Sequence, residues 1–207
     1  MAKTTGRSIG RPKKDSQQMP MQQKILAVAS QQFMRHGYKA VSMDGIAAAG
    51  NVTKATIYYY YDSKAALFTE TIIQLMYRIK TRTAQVLADE QFSFKDRLIN
   101  LLEVYANATA NVDINNFIRE AVPSLSVKQQ QAVYESEQFM HEAIREAFQR
   151  EMTLGTIPNK EITFLLHTFL ALMNVGRYTD YDDTQLFETP RKGAEEIIHF
   201  FWAGLFA

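Results

Sequence analysis

Four consecutive tyrosines, Tyr58 to Tyr61, close a short segment that also holds Thr53, Lys54 and Thr56. On a helix, at about 100° per residue, four adjacent rings point around most of the circumference, so they cannot all face a core. An exposed phenol carries a hydroxyl on a rigid ring, which suits it to a phosphate oxygen. The competing reading is a helical hairpin whose exposed tyrosines do nothing.

The elements that would hold these side chains are legible around them. Ser42 can cap a first short helix whose body, Ile46 to Ala49, is small enough for close packing. Gly50 and Asn51 both tolerate the left-handed backbone of a helix end, and Val52 supplies an apolar plug. Thr53 caps a second helix running to Tyr61, with Ile57 and Tyr61 four apart on one face. Two short helices on a tight turn form a device for reading DNA.

Charge agrees with that reading once the chain is divided. Residues 1–64 hold ten Lys or Arg and three Asp, a formal +7, while residues 65–207 hold thirteen basic and nineteen acidic residues, a formal −6. A basic first third suits a polyanion, and an acidic remainder opposes unspecific adhesion of the whole molecule to nucleic acid or anionic membrane.

Ile25 to Phe33, the Gly37-Tyr38 break, Ser42, Ile46-Ala47, Val52-Thr53-Lys54, Thr56-Ile57-Tyr58, Ser63-Lys64 and Ala66-Leu67 together resemble the TetR family of bacterial transcriptional regulators. The resemblance covers residues 21–68. It departs at Asn51, where the family carries glycine and this chain has Gly50 one position earlier, which predicts a turn shifted by a residue. Ala55 and the unbroken tyrosine run are further departures. The resemblance implies that Thr53 to Tyr60 enters the major groove with Lys54, Ala55 and Tyr59 nearest the base edges. It further implies that Ser42, Thr56, Tyr58, Tyr60 and Lys64 hold phosphates. Lys54 can donate to guanine, the Ala55 methyl can pack on a thymine methyl, and Lys64 opens the next helix.

Ahead of this unit, Lys3, Arg7, Arg11, Lys13 and Lys14 face a single Asp15, so residues 1–20 read as a flexible basic arm. Gly10-Arg11-Pro12-Lys13 resembles an AT-hook core, which would lay Arg11 along a minor groove; the plain alternative is a solubilising tail.

Composition narrows the remaining classes. The 207 residues are 46% hydrophobic and 22% charged, ample for two small helical domains. Zero cysteines remove disulfides, thiol nucleophiles and cysteine metal sites. The absence of an apolar run near the ~18–20 residues of a membrane span, and of a signal-peptide core, predicts a cytoplasmic protein. His141-Glu142-Ala143-Ile144-Arg145 lacks the second histidine of a zinc protease motif, and no phosphate-binding glycine loop or nucleophile elbow occurs. Asp180, Asp182 and Asp183 lack the glycine and terminal glutamate of a calcium loop. No enzyme, cofactor or metal is expected.

Beyond Leu67 the periodicity predicts helices from Ser63 to about Leu87, Phe94 to Ala110, Ile114 to Ala121, Ser126 to Met152, Lys160 to Arg177 and Pro190 to Phe206. The last two are distinctly apolar. Phe164, Phe169, Leu172, Phe200, Phe201 and Leu205 either fill an internal core or pair across a two-fold axis in a four-helix bundle. Tyr105, Phe117, Arg119, Tyr134, Phe139, Met140, His141 and Phe148 mix large rings with a few polar tips, as either a pocket or ordinary core does. The resemblance implies the dimer and a ligand cavity; an apolar or aromatic, weakly acidic effector would fit Arg119 and the rings.

The expected architecture is therefore all-α: the arm (1–20), a three-helix helix-turn-helix DNA-binding domain (21–67), and a larger helical effector-binding and dimerisation domain (68–207). The expected activity is that of a homodimeric repressor released from a near-palindromic double-stranded DNA operator by a small molecule. The alternative is an architectural DNA-binding protein without an effector.

Overall fold

The computed structural model describes residues 20–109, 114–176, 178 and 184–207. Among them the regular structure is helical: α1 (Met21–Ala40), α2 (Met43–Gly50), α3 (Lys54–Tyr60), α4 (Lys64–Leu87), α5 (Phe94–Thr109), α6 (Ile114–Ala121), α7 (Val127–Thr153), α8 (Ile162–Val175) and α9 (Pro190–Phe206), with a 3₁₀ turn at Val122–Ser124. The arm with Arg11, and the aspartates Asp180, Asp182 and Asp183, lie outside the described residues.

Helix starts are set by local chemistry. The hydroxyls of Ser42, Thr53 and Ser63 accept from the amides of Gly45, Thr56 and Ala66 at 3.0, 3.1 and 3.0 Å. Each satisfies one of the amides that a first helical turn leaves without a partner. At α7, Ser126 and Gln129 cap each other reciprocally. Gly37, at φ 78°, interrupts α1 and turns Tyr38 inward, where it is buried.

The turn between α2 and α3 corrects the sequence expectation of a shifted register. Asn51 itself takes the left-handed conformation, φ 48° and ψ 51°, while Gly50 stays helical. The Asn51 and Val52 amides then return to the Ala48 and Ala47 carbonyls at 3.2 and 3.0 Å. Asparagine is among the few side chains that tolerate this backbone, so it fills the position of the family glycine.

Two apolar cores organise the molecule. The first joins α1, α2 and α3 to the start of α4 and is sealed by Phe117, Ile118 and Ala121 of α6 and Val133 of α7. The second lies among α5, α7, α8 and α9, around Phe148, Phe169, Ile198 and Phe201. Helix α4 packs along α7 and contributes to both cores, from Leu67 at one end to Leu87 at the other. The first core therefore crosses the 67/68 boundary: α6 packs on α1, so the small N-terminal unit rests on the larger one.

Candidate nucleic-acid interface and internal cavity

Helix α3 has one buried side and one open side. Ile57 is fully buried and Tyr61 is 6% exposed, whereas Tyr59 is 82% exposed and Tyr58 and Tyr60 are also open to solvent. The Tyr59 and Tyr60 rings meet edge to face, centroids 5.0 Å apart, which restricts both. Lys54 and Ala55 lie on the exposed surface beside them. The Lys54 ammonium donates to Asp44 of α2 at 2.8 Å, and this bond holds its pKa above the ordinary lysine value. An exposed pair of this kind is weak because water screens it, so a base edge or phosphate can compete for the lysine.

Three of the sequence-expected contacts have partners within the protein. The Ser42 and Thr53 hydroxyls cap helices, and the Thr56 hydroxyl lies 2.8 Å from that of Thr53. Lys64 differs more. Its ammonium donates to the carbonyls of Tyr38 and Val41, both at 2.8 Å, and sits 4.4 Å from the centre of the Tyr38 ring. Burial pushes its pKa down. Lys64 thus closes the C-terminal end of α1, a role invisible in sequence because the partners lie more than twenty residues away.

In the larger unit, α4, α5, α6, α7 and α8 enclose a cavity of about 340 Å³. Tyr105, Met140 and His141 line it; the other expected pocket residues do not. Phe117 is buried in the first core against Phe68, centroids 5.3 Å apart. Phe139 packs outside, 4.5 Å from the Tyr77 ring and under the Lys80 ammonium at 3.7 Å. Arg119 and Tyr134 are exposed. The remaining walls come from Met76 and Ile79 of α4, Leu101 of α5, Ile144 of α7 and Leu170 of α8, with Arg82, Glu137 and Asn174 as polar members. Burial lowers the His141 pKa, with His167 and Arg145 acting in the same direction. Burial raises that of Glu137.

The expected dimer residues divide by face. Phe169, Phe201 and Leu205 are buried within the protomer, because the inner stripes of α8 and α9 complete the second core. Leu172 is half-buried against the same core. Phe164 and Phe200 are 70% and 74% exposed. With Ala171 and Val175 of α8 and Ala203 and Gly204 of α9, they form an exposed face of large apolar and small residues. None of the helices described is long and apolar enough to cross a membrane, and no group among the described residues could hold a metal ion.

Residues 25–71 match the model of the bacterial regulatory proteins of the TetR family. An uncharacterised HTH-type transcriptional regulator of Bacillus subtilis, YhgD, is 36% identical over 63 residues, 30% of this chain and 33% of that protein. The HTH-type negative transcriptional regulator of the biofilm operon icaADBC in Staphylococcus aureus, IcaR, is 35% identical over 52 residues, 25% of this chain and 28% of that protein. The match thus spans about a third or less of the length of these relatives, and falls on the N-terminal unit. Over the whole fold, the crystal structure of the transcriptional regulator FadR from Bacillus subtilis, in complex with stearoyl-CoA, aligns with a TM-score of 0.67 at 15% identity, covering 88% of this chain and 98% of that one. Residues 25–71, which hold the capped α2–turn–α3 unit, thus match the bacterial regulatory proteins of the TetR family, and the all-helical body shares the fold of the FadR structure.

Proposed function

We propose that this protein is a homodimeric repressor that reads a near-palindromic DNA operator with α3 and leaves it when a small organic molecule enters the cavity. The observation that carries this reading is the open side of α3, where Lys54, Ala55 and Tyr59 face solvent on a helix fixed by its Thr53 cap and its buried Ile57. A short rigid helix with a lysine, a methyl and phenols outward fits the major groove and its flanking phosphates. The basic balance of residues 1–64 supports the same partner.

The exposed face of α8 and α9 supports a dimer. Ala171, Ala203 and Gly204 allow close approach, and burying Phe164 and Phe200 removes large apolar surface from water. A two-fold arrangement would set two α3 helices for major grooves about 34 Å apart. Release by a ligand draws support from shared walls. Met76, Ile79, Ile114 and Met140 line the cavity and also pack on the first core. A molecule seated there presses on the helices that carry α3. A hundredfold loss of operator affinity requires about 2.7 kcal/mol of preference for the DNA-incompetent state.

The test is a footprint on genomic fragments, repeated with a panel of small organic compounds. A two-fold-symmetric footprint relieved by a compound is the expected result. Equal affinity for random DNA would establish the architectural alternative instead. Within the selected operator, Lys54→Ala is expected to cost about 1–3 kcal/mol and to relax preference at one base position. An unchanged preference in a base-substitution scan would remove Lys54 from the reading set.

A further inference from the structure

We infer that the cavity selects a compact organic cation, an aromatic or aliphatic ammonium, and seats its charge against Glu137. This rests on the reading of the cavity as the effector site.

Glu137 and His141 lie one turn apart on α7 and both line the cavity. Most of the other wall residues are apolar, among them Met76, Ile79, Leu101, Ile144 and Leu170. Among the described residues Glu137 has neither an ion-pair nor a hydrogen-bond partner, and burial is what acts on its carboxyl group. A carboxylate drawn partly out of water without a counter-charge costs free energy, which a bound cation would offset.

Among the described residues, the other charged or titratable wall groups do not supply that cation. His141 is held toward its neutral form by burial, by His167 and by Arg145. Arg82 is exposed and contributes nothing to the shift at Glu137. The half-buried charge of the cavity is therefore negative, and the positive one is solvated. Three methionines, Met76, Met140 and Met173, add polarisable sulfur, and Tyr105 adds a ring whose face attracts cations. The volume, about 340 Å³, lies near the bottom of the ~300–1,000 Å³ range of ligand pockets, so the ligand is compact. The weakly acidic effector expected from sequence depended on Arg119, which does not line the cavity.

The experiment is titration calorimetry on the full chain with three probes of similar size. These are benzyltrimethylammonium, its uncharged isostere neopentylbenzene, and the anion 3-phenylpropionate, in matched co-solvent. Wild type is expected to bind the cation at least tenfold more tightly than either other probe. Glu137→Gln is expected to bring the cation down to the affinity of the isostere. Ala108→Trp, which fills the cavity from an exposed wall position, is expected to block all three. A cation affinity unaltered in Glu137→Gln, or a wild-type preference for the anion, overturns the inference. If Ala108→Trp still blocks binding in that case, the cavity reading survives. If no probe binds, or Ala108→Trp blocks none, both the inference and the cavity reading fall.

Discussion

Replacing Glu151 with alanine is expected to lower the free energy of unfolding by about 3–5 kcal/mol, because it strands a buried guanidinium. Glu151 is 2% exposed, and its Oε1 lies 2.9 Å from Arg97 Nη2, which is nearly as deeply buried. Arg97 Nη1 also donates to the Leu87 carbonyl at 2.6 Å, and Arg150 reaches that carbonyl and the Glu151 carboxylate at 3.3 and 3.4 Å. Leu87 is the last residue of α4, so the cluster ties the end of α4 to the beginning of α5 and the end of α7. Among the described residues Arg97 Nε has no hydrogen-bond partner, and without the carboxylate the guanidinium would retain the Leu87 carbonyl as its hydrogen-bond acceptor there. Arg97→Met combined with Glu151→Leu removes both charges and is expected to recover most of the loss, since paired apolar replacements avoid the stranded ion. Urea unfolding at fixed protein concentration checks both; a single-variant loss under about 1 kcal/mol would show that water reaches the site.

Phe68→Ala is expected to cost a comparable amount, about 3–5 kcal/mol, through the cavity it opens. The Phe68 ring is completely buried, with centroids 5.2 Å from Phe33, 4.9 Å from Tyr38 and 5.3 Å from Phe117. These rings belong to α1, α4 and α6, so one side chain fastens the N-terminal unit to the larger one. Its loss is expected to loosen α1 and the α2–α3 unit together. DNA affinity should then fall more than in Lys54→Ala, and equally for all sequences, because the whole reading unit loses its support. Phe68→Leu, which keeps most of the volume, is expected to cost much less. Thermal unfolding, with binding to operator and to scrambled DNA, separates these outcomes. A Phe68→Ala variant of wild-type stability would refute the fastening role.

These expectations differ in how far the chain alone could have suggested them. The caps at Ser42, Thr53, Ser63 and Ser126 act within three residues, so their chemistry is local and the helix starts follow from sequence. The division of the tyrosine run follows from helical geometry, with Ile57 and Tyr61 inward and Tyr58, Tyr59 and Tyr60 outward. Glu151 gave no such signal: its partner is 54 residues away, and a glutamate beside an arginine on a helix reads as solvated surface.

Ring content misled in the larger unit for a geometric reason. Phe139 and His141 are two residues apart on α7, about 200° around the helix axis, so they cannot face the same cavity. His141 points in, and Phe139 packs outside on Tyr77 and Lys80. Likewise Phe164 and Phe169 share α8 but not a face, and the buried one completes the protomer's own core.

By itself, the sequence determined the helices, the caps that start α2 and α3, the basic N-terminal third and the outward face of α3, because each depends on neighbours within about one helical turn or on summed charge. Tertiary structure decided which walls meet at the cavity, that Lys64 closes α1, that Arg97 and Glu151 meet below α4, and that Glu137 faces the cavity with no counter-charge among the described residues. Those facts depend on how helices distant in sequence cross and rotate against one another. Periodicity within a single helix gives a face, and the fold assigns that face its neighbour.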